Sequence, residues 1–325
     1  MIMSPEMLGT LWTHVIRHVI CRILCTVSES ASALTHVVPR REHRKRIWWC
    51  PTGHFTNLPL HAAGIEMTGP TPSHLCVSDF FVSSYTPSLA ALSEAQKRQK
   101  PLDIRTVKVL AAIQPDSRRR LNKLPSLVQE LKQIAAVVPK DNLLYSDDSG
   151  QLDFDGSKTT VEKTVEKIKE ADIFHLGCHG IKMEALSERD PDQILKAGLA
   201  LGQTIGKELD RFTIQHLIQL PPLPKANIAV FTTCNSGTSF PIPFEGVTFA
   251  NAAMMAGFCS VLATMFSMKD EDGPLVAQEV YTAMFNPPDP SVPFCLARVV
   301  DGIARKLREQ GVAAERWSTF IHVGA

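Results

Sequence analysis

Two short motifs hold the residues best suited to covalent chemistry. The apolar run ADIFHLG ends in Cys178-His179-Gly180, and the run NIAVFTT ends in Cys234-Asn235-Ser236-Gly237. Each run reads as a buried strand. In an open parallel sheet, ligands gather outside the carboxyl ends of the strands. A thiol and an imidazole on neighbouring strand ends can form a nucleophile and base pair. The thiolate is the working nucleophile, and an adjacent imidazolium lowers the thiol pKa. The backbone N–H groups of Gly180 and Cys234 can then form an oxyanion hole, glycine permitting the close approach.

The sequence around these motifs alternates strand and helix patterns. Strands are predicted near 105–113, 142–145, 171–177, 227–233 and 259–266, with a last one near RWSTFIHVG. Helices are predicted near 125–138, 158–170, 211–219, 275–285 and 294–309. The first of these places Leu127, Leu131, Ile134 and Val138 on one face, and the last places Leu296, Val300, Ile303 and Leu307. Such alternation predicts an α/β fold with a mainly parallel central sheet and helices on both faces. The stretch IWWCPTGHFTNLPLHAAG predicts a hairpin about its Pro-Thr-Gly turn. DFFVSSYTPSLAAL predicts a strand and then a helix begun near Pro87.

At the N-terminus, Leu8, Trp12, Val15, Val19 and Ile23 fall at helical spacing, so an amphipathic helix is expected to dock on the core. Glu6, His14, Arg17, His18 and Arg22 break the unbroken apolar run that a signal peptide needs. The basic run Arg40–Arg46 reads as a solvated linker. The expected division is 1–46 as N-terminal helix and linker, and 47–325 as one α/β domain. Within it, 47–115 forms a hairpin region and 116–325 the catalytic part. Residues 246–268 carry no charge, but small and polar residues are scattered among them. They read as a helix stopped at Gly257 and then a buried strand, not a membrane span.

Composition excludes several functions. Lys+Arg is 34 against Asp+Glu 33, a net charge of +1, which gives no electrostatic reason to seek nucleic acid or a membrane surface. Eight cysteines without an N-x-S/T site suit free thiols in a reducing, cytoplasmic compartment. Neither G-x-G-x-x-G nor G-x-x-x-x-G-K-[ST] occurs, so no nucleotide site is expected. His175, Cys178 and His179 suggest a metal cluster only until strand alternation is applied. Residues 175, 177 and 179 share a face and 178 lies on the other, and no second Cys pair has zinc spacing. No metal and no cofactor is expected. Cys21, Cys25, Cys50, Cys76, Cys259 and Cys295 read as small buried apolar residues, and His61, His216 and His322 as structural.

ADIFHLGCHG and IAVFTTCNSG resemble the histidine and cysteine motifs of CHAT domains, in the caspase- and separase-like group of cysteine peptidases. The stretch 244–285 is similar to the family's helix, glycine-ended turn, strand and acidic turn. The segments IWWCPTGHFTNLPLHAAG and RWSTFIHVG extend the likeness over about residues 10–325, nearest to fungal members. The spacing between His179 and Cys234 is also close to the ~50 residues found in caspases. The resemblance implies a caspase-like fold and a cysteine endopeptidase in regulated proteolysis, with His179 as base and Cys234 as nucleophile. It implies a protein or peptide substrate and leaves room for an activating protein partner. The turn Lys269–Gly273 resembles the acidic loop of separases, which cleave after Arg. Asp270 and Asp272 are therefore candidates for recognising a basic residue, with Thr232 lining the same pocket; the alternative is an apolar pocket shaped by Phe266 and Met268, which would select Leu or Met. Three positions depart from the common pattern: Thr233 for Ala, Asn235 for Glu or Gln, and Phe266 for Trp. The alternative is a catalytically silent scaffold or regulatory module of the same fold.

Overall fold

Continuous apolar runs such as IAVF and SVLAT can be buried on both faces, and they form the centre of the sheet. The computed structural model describes residues 4–24, 34, 37–67, 73–115, 122–146, 159–180, 194–201, 210–239 and 246–325. In chain order the strands are β1 (Lys45–Trp49), β2 (Gly64–Met67), β3 (Ser73–Cys76), β4 (Phe81–Tyr85), β5 (Val109–Ile113), β6 (Leu143–Tyr145) and β7 (Ile173–Gly177). There follow β8 (His179–Gly180), β9 (Gly198–Ala200), β10 (Arg211–Thr213), β11 (Ile228–Phe231), β12 (Ser260–Thr264) and β13 (Phe320–Gly324). The main sheet has the order β1-β4-β13-β12-β11-β7-β5-β6. Only the β12–β13 pairing in it is antiparallel, so the sheet is mainly parallel as expected.

Side chains alternate between two cores. Ile173, Ile228, Val230 and Leu262 face one, shared with the helices Ser126–Val137, Gly273–Phe285 and Leu296–Glu309. Phe174, Ala229, Val261 and Ala263 face the other, shared with the N-terminal helices and with Phe249–Ala256. After β5 the chain steps outward to β6, then returns to β7 on the opposite side of β5 and continues to β11 and β12. A reversal of this kind opens a crevice at the carboxyl ends of the strands.

The structure differs from the sequence expectations in particular places. The N-terminal segment is two helices, Pro5–Leu11 and Arg17–Leu24, joined by a π turn at Trp12–Ile16. Its buried series is Leu8, Trp12, Ile16 and Ile20, while Ile23 is 49% exposed. A π turn is wider than an α turn, so a four-residue repeat stays on one face. The hairpin at 47–64 does not form. β1 pairs in parallel with β4, and β2 pairs with β3 instead. Pro51 and Pro59 lack the N–H that a returning strand would donate, and the chain there makes short turns at Gly53–Phe55 and Leu60–Ala62. In the basic run, Arg44 is buried and pairs with buried Asp301 at 2.8 Å. Cys50 is exposed, whereas Cys21, Cys76, Cys178 and Cys259 are buried. The expected helix at 211–219 begins only at Ile214, after β10. Cys25 lies outside the described residues, as do most of the polar segments 146–157 and 182–196. Among the described residues, no helix is long and apolar enough to cross a membrane.

Candidate active site

The strand ends bring the two motifs together. β7 stops at Gly177, and His179-Gly180 turns off into a small antiparallel sheet by pairing with β9. β11, next to β7, stops at Phe231 and leads through Thr232 and Thr233 to Cys234. Gly180 then lies directly against the Cys234 peptide. A Cβ there would run into the Cys234 carbonyl oxygen, 2.8 Å from the carbonyl carbon and 3.1 Å from Cα. Only glycine allows that approach.

The turn after Cys234 is firmly held. Asn235 has φ 60°, the left-handed region that asparagine tolerates better than most residues. Its N–H donates to the Phe266 carbonyl at 3.2 Å, and Gly237 N–H donates to Thr264 O at 2.8 Å. Thr238 Oγ1 donates to Met265 O at 2.6 Å. The small polar residues after β11 thus exchange strand pairing for bonds to the end of β12. On the far side, the Asn57 amide donates to Ser239 O and accepts from Ser239 N, at 2.9 and 2.7 Å.

His179 and Cys234 are both half-buried. The His179 Nε2 lies 2.6 Å from the Asn122 carbonyl oxygen. A carbonyl only accepts, so Nε2 carries a proton, and Nδ1 is the nitrogen left to act as a base. Met268 N–H donates to Cys234 Sγ at 3.4 Å, and the same sulfur lies 3.7 Å from the Met268 carbonyl oxygen. The neighbouring Cys178 packs in the core on the opposite face from His175. Burial pushes its thiol well up, and the Cys234 and Glu130 charges push it further. Cys178 is therefore a protonated, inert thiol beside the reactive position.

Under the two motifs lies a buried polar network. Glu130 and His175 are both fully buried, with Oε1 and Nε2 2.5 Å apart. Thr232 Oγ1 donates to the same Glu130 oxygen at 2.5 Å, and His175 Nδ1 lies 3.1 Å from Tyr281 OH. Burial and the Glu130 charge raise the Tyr281 hydroxyl well above its usual value.

The expected specificity residues are placed as follows. Thr232 is 4% exposed, its hydroxyl engaged by Glu130. Asp272 is buried, and both of its oxygens accept from Arg316, at 3.1 and 2.6 Å. That ion pair engages both Asp272 oxygens within the fold. Asp270 is half-buried. Its Oδ2 accepts from Ser126 N at 2.9 Å, capping the Ser126–Val137 helix, and its Oδ1 is buried without a partner among the described residues. The half-buried Phe266 packs at the edge of both cores. His61 lies 2.8 Å from Tyr85 OH, His216 caps its own helix and His322 bridges Ser260 and Ser84. Among the described residues, no group of three His, Cys, Asp or Glu converges as a metal site.

Asn122, the backbone contact of Met268, and Glu130 were missed at the sequence level. The first two contribute backbone atoms, which no side-chain type announces. Glu130 did leave a signal: a carboxylate within the apolar stripe Leu127, Leu131, Ile134.

The site thus consists of a histidine motif and a cysteine motif with abutting backbones, at the strand ends of a mainly parallel α/β sheet covered by helices. A family profile for the CHAT domain matches residues 5–325, and the chain belongs to the CHAT domain family. Its mixed α/β architecture, a mainly parallel sheet flanked by helices, is the one expected. Among solved structures it is similar to the Arg-specific cysteine proteinase gingipain R, with TM-score 0.46 and 14% identity, covering 74% of this chain and 53% of that one. It is also similar to the Saccharomyces cerevisiae separase–securin complex, with TM-score 0.48 and 13% identity, covering 77% of this chain and 14% of that one. The chain thus spans about half of the first protein and a small part of the second. Comparison with curated proteins gives no match.

Proposed function

We propose that the chain is a cysteine endopeptidase that hydrolyses peptide bonds through Cys234 and His179, in a reducing, cytoplasmic compartment. The observation that carries the reading is the backbone contact of Gly180 with Cys234, which sets the histidine motif against the cysteine motif. His179 Nδ1 takes the thiol proton while Asn122 holds Nε2–H, and the thiolate attacks the substrate carbonyl. The N–H groups of Gly180 and Cys234 receive the oxyanion. The imidazolium then protonates the leaving amine, and water, deprotonated by His179, releases the acyl group from sulfur. Residues 47–325 act as the peptidase unit, with the helices of residues 5–24 packed against it. Asp270, with one oxygen uncommitted among the described residues, is the candidate for reading a basic side chain before the cleaved bond. Phe266 borders the same region.

A thiol-reactive peptide probe tests this. It should label the wild-type chain and fail on both Cys234→Ala and His179→Ala. Labelling unaffected by His179→Ala, or absent from the wild type with every peptide tried, would favour a silent scaffold.

A further inference from the structure

Glu130 is a carboxylate with no exposure to water, at the junction of four elements. It projects from the Ser126–Val137 helix. It meets His175 on β7, four residues before His179, and Thr232 at the exit of β11, two before Cys234. Its other oxygen has no hydrogen-bond partner among the described residues and faces Gly273, the first residue of the Gly273–Phe285 helix. A Cβ at Gly273 would strike that oxygen and lie 3.2 Å from the carboxyl carbon. The fold thus keeps a space for this one group, beside a helix end whose partial positive charge suits an anion.

Burying a carboxylate costs several kcal/mol unless it is paired and hydrogen-bonded. An apolar residue would fill the same space without that cost, so packing alone does not explain Glu130. Its partners do: each lies on a strand that delivers one member of the proposed dyad. Thr232 N–H makes a ladder bond to Leu176 O while its hydroxyl turns to Glu130, and the next residue, Thr233, offers its carbonyl to Thr264 Oγ1. We propose that Glu130 is the positioning residue of the site, fixing Thr232 and His175 to one carboxylate so that Cys234 and His179 are held at one spacing. The proposal rests on the dyad reading above. The charged and titratable groups facing Glu130 are His175, Tyr281 and, through its charge, Cys178.

The test is the rate at which iodoacetamide alkylates Cys234, followed by mass spectrometry from pH 6 to pH 9 on the full chain. It needs no knowledge of the substrate. The dyad gives a thiolate that persists at pH 6, and His179→Ala should lose it, its rate falling on the order of 100-fold from pH 9 to pH 6. Thr232→Val keeps shape but removes the hydroxyl. It should lower the pH 6 rate about tenfold while leaving the pH 9 rate near wild type, and Thr232→Ser should restore it. Glu130→Gln should act in the same direction; if it fails to fold, the Thr232 pair decides. Wild-type reactivity of Thr232→Val at pH 6, with His179→Ala impaired, overturns the positioning role and leaves the dyad standing. A loss equal at both pH values marks general distortion and also overturns it. Identical profiles for wild type and His179→Ala refute the dyad itself.

Discussion

Gly180→Ala is the smallest change that should separate the two halves of the site. The added methyl would lie 2.8 Å from the Cys234 carbonyl carbon and 3.1 Å from its Cα. Relaxed carbon contacts lie at about 3.5–4.0 Å, so the two backbones must part by roughly 0.7 Å or more. Neither side can yield by rotating a side chain. Gly180 is paired to Leu199 of β9, and the Cys234 turn is tied to β12 through Asn235 and Gly237. The displacement therefore falls between nucleophile, base and oxyanion donors. A misplacement of about 1 Å at reacting atoms costs on the order of 100-fold, and that loss is expected in kcat/KM for a cleaved peptide. Thermal unfolding should move little, because β8 is short and lies outside the main sheet. Turnover, probe labelling and unfolding would be measured on the same preparation. Full activity in Gly180→Ala would refute the assignment of the Gly180–Cys234 contact to the catalytic geometry, as would a loss matched by general unfolding.

Two further outcomes follow from side chains whose surroundings differ from their neighbours'. Asp270→Asn should weaken cleavage after Arg in a peptide library by about tenfold, the loss of one charge-assisted contact, and cleavage after large apolar residues indifferent to the change would contradict it. Burial pushes the His61 imidazole down to about 4. Below about 6.5 the unfolded chain therefore binds a proton that the folded chain refuses, so stability is full above that pH and is lost as pH falls toward 4, by about 3 kcal/mol. Urea unfolding at pH 7 and pH 4.5 would show it, and a dependence unchanged in His61→Gln would assign the loss elsewhere.

The meeting of the two motifs at the strand ends was legible because the apolar runs of β7 and β11 stop abruptly at small polar residues, with the histidine and cysteine there. The central strands and long amphipathic helices were legible for the same reason, since burial on one or both faces leaves a period in the sequence. Edge pairing was not legible: β1 and β4 lie far apart in the chain, and nothing local distinguishes a parallel neighbour from a hairpin. The acidic turn was legible as a cluster of carboxylates but not in the different partners they take. Asp272 is buried by Arg316, 44 residues away in sequence, while Asp270 caps a helix.

The Ser126–Val137 helix and the residues before it explain why these contacts belong together. The Asn122 carbonyl holds the base, the Ser126 N–H holds Asp270, and the Glu130 side chain holds Thr232 and His175. Successive contacts lie four residues apart, the last two one helical turn apart. Two of the three are made by backbone atoms, and the third by a residue whose meaning depends on the strand beneath it. A displacement of this helix would therefore move His179, the acidic turn and the strand exit before Cys234 together.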